Sequence, residues 1–146
     1  PGIAESIDAY WRGSPDEVAH RKRLATLVRE HSSYGDTILE VGCGTGLIYG
    51  ALRNESLSYT GVDLSRPMLD IASNRYPEAM FRMGSAEGLD YGDHWFDVAC
   101  AFEVFGHMTD CGQAIKELVR DPTHLCLDCK RAANDPCSLC HPVPLE

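Results

Sequence analysis

Apolar positions recur along the chain with two different periods, and their alternation predicts helices separated by short buried strands. The first segment, "SIDAYWRGSPDEVAHRKRLATLVREHSSYGD", carries Val18, Ala25, Leu27 and Val28 at helical spacing. Ser14 with Glu17 forms a capping box, Pro15 suits the first helical position, and Tyr34-Gly35-Asp36 ends the run. "TILEV" predicts a buried strand, being short, β-branched and aliphatic and stopping at glycine. In "LIYGALRN", Leu47, Ile48, Ala51 and Leu52 make one apolar helix face.

"LSYTGVDLS" predicts a second strand ending at Asp63. Ser65 caps the next helix, with Pro67 in its first turn and Met68, Leu69, Ile71 and Ala72 on its apolar side. "AMFRMG" predicts a third strand and "DVACAF" a fourth, the latter preceded by the turn-rich "EGLDYGDHW". Thr109 caps a further helix in "DCGQAIKELVR", and "HLCLDC" reads as a fifth strand. Helices alternating with buried strands predict an α/β fold, a doubly wound parallel sheet with helices on both faces. Three regions follow: a helical cap over residues 1–36, the core over 37–129 and a cysteine-containing tail over 130–146.

Composition narrows the classes. The 146 residues amount to about one domain, and 44% apolar with 24% charged residues is ordinary for a globular protein. A net charge of −9, with basic residues clustered only in "HRKR" at His20 to Arg23, argues against a nucleic-acid binder. That cluster reads as a solvated helix face. No apolar run approaches the roughly 20 residues of a membrane helix, and no signal peptide is visible, so the chain is expected to be cytoplasmic. It begins Pro1-Gly2 without methionine and ends Leu145-Glu146, so its boundaries are expected to be those of an excised piece.

In such a sheet, ligands bind beyond the carboxyl ends of the strands, which places the glycine turn, Asp63, the loop from Gly84 to Glu87 and the segment from Phe102 on one edge. Gly42, Gly44 and Gly46 allow a sharp turn and close approach of a ligand, and the following helix presents free N–H groups. Asp63 ends the adjacent strand, where a carboxylate accepts both hydroxyls of a ribose. Together these describe a nucleoside-containing cofactor. The dinucleotide turn G-x-G-x-x-G does not fit, since Leu47 or Tyr49 falls at its third glycine, and no phosphate loop is present.

"ILEVGCGTG", "GVDLS", "MGSAEGLDY" and "FDVACAFEVFGHM" resemble, in order and interval, the four successive motifs of the class I S-adenosylmethionine-dependent methyltransferases. The resemblance covers roughly residues 37 to 120. It implies a Rossmann-like sheet, S-adenosylmethionine as cofactor and a small-molecule methyl acceptor. By the same resemblance, Glu40, Gly42 and Gly44 surround the methionine portion, Gly46 opens the helix, and Asp63 binds the ribose. Leu64 and Met68 pack on the adenine, and Ser85, Ala86 and Glu87 line its edge, Ser85 standing where many relatives carry aspartate. Phe102 and Glu103 border the sulfonium, and Tyr10 with Trp11 resembles an aromatic pair that covers the cofactor. Competing readings are packing for Gly46, core for Met68 and Phe102, and a helix anchor for Trp11.

A sulfonium is already a strong methyl donor, so the residues must mainly align the acceptor and exclude water. His107, in "EVFGHM", is the candidate general base and Glu103 a group that shapes the site; a loop histidine without chemical role is the alternative for His107. The motif N-P-P-[YF] is absent, the corresponding stretch being "AFEV", which favours a small molecule over nucleic acid.

The tail departs from the family. There is room for a fifth strand but not for the antiparallel pair that usually follows, so the sheet reads as truncated after the fifth strand, with an open edge to be covered by the tail, a second copy or another partner. Cys126, Cys129, Cys137 and Cys140 form two C-x-x-C units that suit a structural zinc ion; as neighbours in a strand, Cys126 and Cys129 would instead point to opposite faces. Cys43, Cys100 and Cys111 read as small buried residues. The alternative to an enzyme is a non-catalytic, truncated methyltransferase-fold module that binds a protein partner.

Overall fold

The computed structural model describes residues 2–92 and 95–104, and the backbone alone of three short strands at 124–126, 132–133 and 142–144. Two helices, α1 (Ile3–Gly13) and α2 (Pro15–Glu30), stand where one helical segment was expected. Ser14 divides them. Its backbone is extended, its hydroxyl accepts the Glu17 N–H at 3.4 Å, and Pro15 opens α2. The return arm of the capping box is replaced, because the Glu17 carboxylate turns to Arg21 at 3.4 Å.

The strands β1 (Thr37–Val41), β2 (Ser58–Asp63), β3 (Met80–Met83) and β4 (Val98–Ala101) form one sheet in the order β3-β2-β1-β4. Every pair is parallel. Helices α3 (Leu47–Leu52) and α4 (Arg66–Arg75) make the crossovers from β1 to β2 and from β2 to β3. Alternation along β1 and β2 divides the core. Ile38 and Tyr59 pack with Ala25, Val28, Ile48, Tyr49 and Leu52 on one face, whereas Leu39, Val41 and Val62 pack with Ala86 on the other. Residues of α2 and α3 cover the first face; Leu89, Tyr91 and Phe96 of the β3–β4 connection cover the second. The helix expected after Thr109 lies outside the described residues.

The fifth strand takes a different place from the one expected. β5 (His124–Cys126) pairs antiparallel with β6 (Ala132–Ala133) and β7 (Pro142–Pro144) in a separate three-stranded sheet. The connection from β5 to β6 is too short for a parallel neighbour, which needs a crossover of a dozen residues or more.

One ion-pair cluster fixes α1 against the core. Asp8, 3% exposed, receives Arg75 at 2.6 and 2.9 Å and Arg12 at 2.9 Å. Arg75 also donates to the Thr45 carbonyl at 3.3 Å, so α1, the end of α4 and the glycine turn meet at one point. The Thr45 hydroxyl makes no hydrogen bond of good geometry, yet lies near enough to favour a charged Asp8. Burial alone would raise the Asp8 carboxyl, but the hydrogen bonds of Arg75 and Arg12, with the nearby Thr45 hydroxyl, outweigh it and hold the group at about 2.

A carboxyl depressed in the folded state contributes stability that is complete above its ordinary value and is lost as pH falls toward the depressed one. Asp8→Asn is therefore expected to cost about 2 kcal/mol at neutral pH, and to flatten the stability profile between about pH 4 and pH 2. Urea unfolding of both proteins across that range measures it.

Candidate cofactor site

The turn after β1 is held open by backbone rather than side chains. Gly42 N–H and Cys43 N–H both donate to the Val62 carbonyl, at 2.7 and 3.1 Å, which ties the turn to the neighbouring strand. Gly42 has φ +75°, and a Cβ there would stand 2.2 Å from the Val104 side chain beyond β4. Only glycine permits that fold and that approach together. Asp63, at the end of β2, accepts the Gly44 N–H and the Ser65 N–H, each at 2.8 Å, so its carboxylate is fixed across the mouth of the turn. Gly84 N–H bonds the Asp63 carbonyl at 3.2 Å, and Ser85 Oγ accepts the Glu87 N–H at 3.1 Å, which seats the loop after β3 beside it.

These strand ends enclose a cleft of about 660 Å³. Five residues with carboxylates line it, Glu17, Glu40, Asp63, Glu87 and Glu103, against the single guanidinium of Arg21. Its electrostatic character is acidic, which suits a cationic ligand and opposes a polyphosphate. Glu40 lies on the floor, 3% exposed, and Tyr59 Oη donates to its Oε2. Burial pushes the Glu40 carboxyl up to about 8, against the opposing hydrogen bond of Tyr59 and the charge of Arg21. Burial likewise raises the Cys43 and Cys100 thiols, which makes them poor nucleophiles.

At the lip, α2 reaches across to the residue after β4. Arg21 donates to Glu103 Oε2 at 2.7 Å, and His20 Nε2 lies 3.1 Å from Glu103 Oε1. Arg21 also stacks over the Trp11 ring at 4.9 Å. The Arg21 hydrogen bond holds the Glu103 carboxyl below its ordinary value despite partial burial. Glu103 adopts φ +59°, rare for a residue with a side chain, so the link is made at some cost in backbone strain. The basic cluster is thus not merely a solvated face: His20 and Arg21 build the lip.

Eleven expected residues come together on this cleft: Trp11, Glu40, Gly42, Gly44, Asp63, Leu64, Ser85, Ala86, Glu87, Phe102 and Glu103. Three do not. Tyr10 is 64% exposed, because neighbours in a helix point about 100° apart and Trp11 takes the inward direction. Gly46 precedes α3 with φ +74°, and a Cβ there would press on Phe81 and Tyr76, so its place is in packing. Met68 is half-buried in α4, away from the cleft lining. His107, Cys129, Cys137 and Cys140 lie outside the described residues, and Cys126 is described by its backbone alone. Among the described residues no group of histidine, cysteine and carboxylate side chains could hold a metal ion. Glu17 and Arg21 are additions to the expected cleft residues: Arg21 shares the helix face of Val18, Ala25 and Val28, but local sequence does not tell that this face reaches the strand ends.

Residues 39–121 match the Methyltransferase domain family. The chain is 33% identical over 128 residues to the dTDP-3-amino-3,6-dideoxy-alpha-D-glucopyranose N,N-dimethyltransferase of Streptomyces fradiae, covering 86% of this chain and 50% of that protein. It is 34% identical over 119 residues to a demethylmenaquinone methyltransferase of Chlorobaculum parvum, covering 81% and 46%. Of solved structures, Streptomyces venezuelae DesVI superposes with a TM-score of 0.67 at 25% identity, covering 81% of this chain and 52% of that one. The [4+2]-cyclase SpnF superposes with a TM-score of 0.61 at 31% identity, covering 66% and 39%. The chain spans about half the length of the curated relatives it matches. With a parallel sheet, a glycine turn and a carboxylate at the end of the adjacent strand, it belongs to the class I S-adenosylmethionine-dependent methyltransferases.

Proposed function

We propose that this chain binds S-adenosylmethionine in the cleft and transfers its methyl group to a small-molecule acceptor. The observation that carries the reading is the meeting of Asp63 with the glycine turn, Gly44 N–H to Asp63 Oδ2 at 2.8 Å, in a cleft also lined by Glu17, Glu87 and Glu103. The donor set fits the group: a strand-end carboxylate for ribose hydroxyls, open backbone at Gly42 and Gly44, and acidic residues for a cationic ligand. The relatives are named for an amino sugar, a quinone precursor and, in Penicillium expansum, O-methylation, so small molecules are the common ground.

When bound, the cofactor supplies an electrophilic methyl group on a sulfonium. The residues of this chain bind, orient and shield. Asp63 takes the ribose, Glu40 with Gly42 and Gly44 the methionine portion, and Leu64, Ser85, Ala86 and Glu87 the adenine. Trp11 and Arg21 exclude water from above, and Phe102 borders the reacting centre. Glu103, kept charged by Arg21, orients the lip rather than accepting a proton, and His107 is the base for an acceptor that must be deprotonated. A second reading, a cleft that binds the cofactor without transferring methyl, draws on the likeness to the [4+2]-cyclase. Transfer of labelled methyl to a panel of amine, phenol and quinone acceptors separates the two.

Calorimetric titration is expected to give micromolar binding of S-adenosylmethionine and S-adenosylhomocysteine and none of NAD; binding of NAD alone would overturn the reading. Asp63→Ala is expected to weaken S-adenosylmethionine at least about tenfold, since hydrogen bonds to a charged group contribute about 1.5–3 kcal/mol. An unchanged affinity in a variant that still unfolds cooperatively would remove the ribose assignment.

A further inference from the structure

The floor of the cleft contains a hydrogen bond that the reading above leaves unused. Glu40 and Tyr59 are 3% and 6% exposed, and the phenol donates to the carboxylate in the interior. The position of Tyr59 is fixed by aromatic packing: its ring lies 4.8 Å from Tyr49 and 5.9 Å from Phe81. Tyr49 is in turn edge-on to Tyr76 at 5.3 Å and donates to Glu78 at 3.2 Å. No other side chain of β2 can take this place. Gly61 pairs in register with Glu40, and a Cβ at Gly61 would meet Cys43 Sγ at 2.8 Å. The space beside Gly61 is filled by Cys43 and the Phe81 ring, and Tyr59, two residues earlier on the same face of β2, is the side chain that reaches the carboxylate.

We propose that Tyr59 is a positioning residue for the cofactor: its hydroxyl holds the Glu40 carboxylate in place, so that the floor of the cleft receives the ammonium of the ligand's amino-acid end with release of a proton. The inference rests on the cofactor reading above. The electrostatic surroundings of Glu40 are Tyr59 and Asp63 from β2, Arg21 from α2, Cys43 from the glycine turn and Cys100 opposite on β4. Arg21 and the phenol favour the charged carboxylate; burial and Asp63 oppose it. With its carboxyl at about 8, Glu40 is mostly protonated in the free protein at neutral pH. A cation bound at the floor stabilises the ionised form, so binding expels the proton to solvent. Affinity then rises with pH up to that value, by at most about tenfold per pH unit, and turns down again where the ligand's own ammonium loses its proton.

Two uncharged-sulfur probes isolate the contact. S-adenosylhomocysteine carries the ammonium, and methylthioadenosine lacks the whole amino-acid end. Titrating the chain with each between pH 6 and pH 9, in paired buffers of different ionisation heat, counts the protons released. S-adenosylhomocysteine is expected to release most of one proton at pH 7 and to bind more tightly as pH rises, whereas methylthioadenosine shows neither effect. In Tyr59→Phe the carboxyl loses its donor and moves further up, so S-adenosylhomocysteine weakens about tenfold at pH 7. The deficit shrinks at higher pH while methylthioadenosine binds as before. Glu40→Gln, a second and independent variant, is expected to abolish both proton release and pH dependence.

Equal losses for both probes in Tyr59→Phe would make the phenol merely structural and overturn the proposal. So would an unchanged pH profile for S-adenosylhomocysteine in both variants. Failure of the unsubstituted chain to bind either probe would overturn the cofactor reading, and this inference with it; binding with an unaltered profile overturns this inference alone.

Discussion

The close approach of Gly42 to Val104 governs the rest of the site. A turn that leaves β1 with φ +75° and has a neighbouring side chain where its Cβ would be cannot carry anything larger than hydrogen. Because the turn is that tight, its N–H groups reach back to Val62, the following Gly44 N–H reaches Asp63, and the floor of the cleft is Glu40. The carboxylate at the end of β2 therefore sits against the turn as a result of backbone geometry, before any ligand is considered.

Charge is distributed in this fold with opposite outcomes for two buried acids. Asp8 and Glu40 have the same exposure, 3%, yet the first is held near 2 and the second near 8. The difference lies in depth as well as partners, for Glu40 sits further inside and is desolvated more. Asp8 has two guanidiniums in direct contact and serves as a fixed anion that locks α1 to α4. Glu40 has a neutral phenol and a more distant Arg21, so its desolvation is incompletely offset. A carboxylate left in that condition is a poor structural element and a good receptor for a cation.

Local sequence carried most of the sheet and the turn. β1, β2, β3 and the glycines were legible because their signals are short-range: aliphatic runs ended by glycine or aspartate. What was not legible depends on partners far along the chain. Arg21 meets Glu103 across 82 positions, and Tyr59 meets Glu40 across 19. Neither pairing leaves a periodic trace. Tyr10 and Trp11 are adjacent in sequence, and adjacency in a helix means divergent directions, so Trp11 alone lines the cleft. Ser14 is visible in the sequence as a start signal for α2, but the same residue also ends α1, whose C-cap it forms. β5 could not be placed from its composition, since a three-residue strand reads alike whether its neighbours run parallel or antiparallel.

The register of the central strand sets the order in which the cleft can be assembled. β1 pairs with β2 from Thr37 to Ser58 and with β4 from Ile38 to Val98, so one flank closes a short loop of chain and the other a long one. Loop-closure entropy favours the nearer pairing first and makes the farther one the slower contact. Glu103 and Val104 follow directly on that farther strand, and they supply the lip and the wall beside Gly42. A chain emerging from synthesis thus builds the turn and the Asp63 side before the cleft is enclosed, since β4 follows β1, β2 and β3 in the sequence. Enclosure of the binding site and docking of β4 are in this sense a single step.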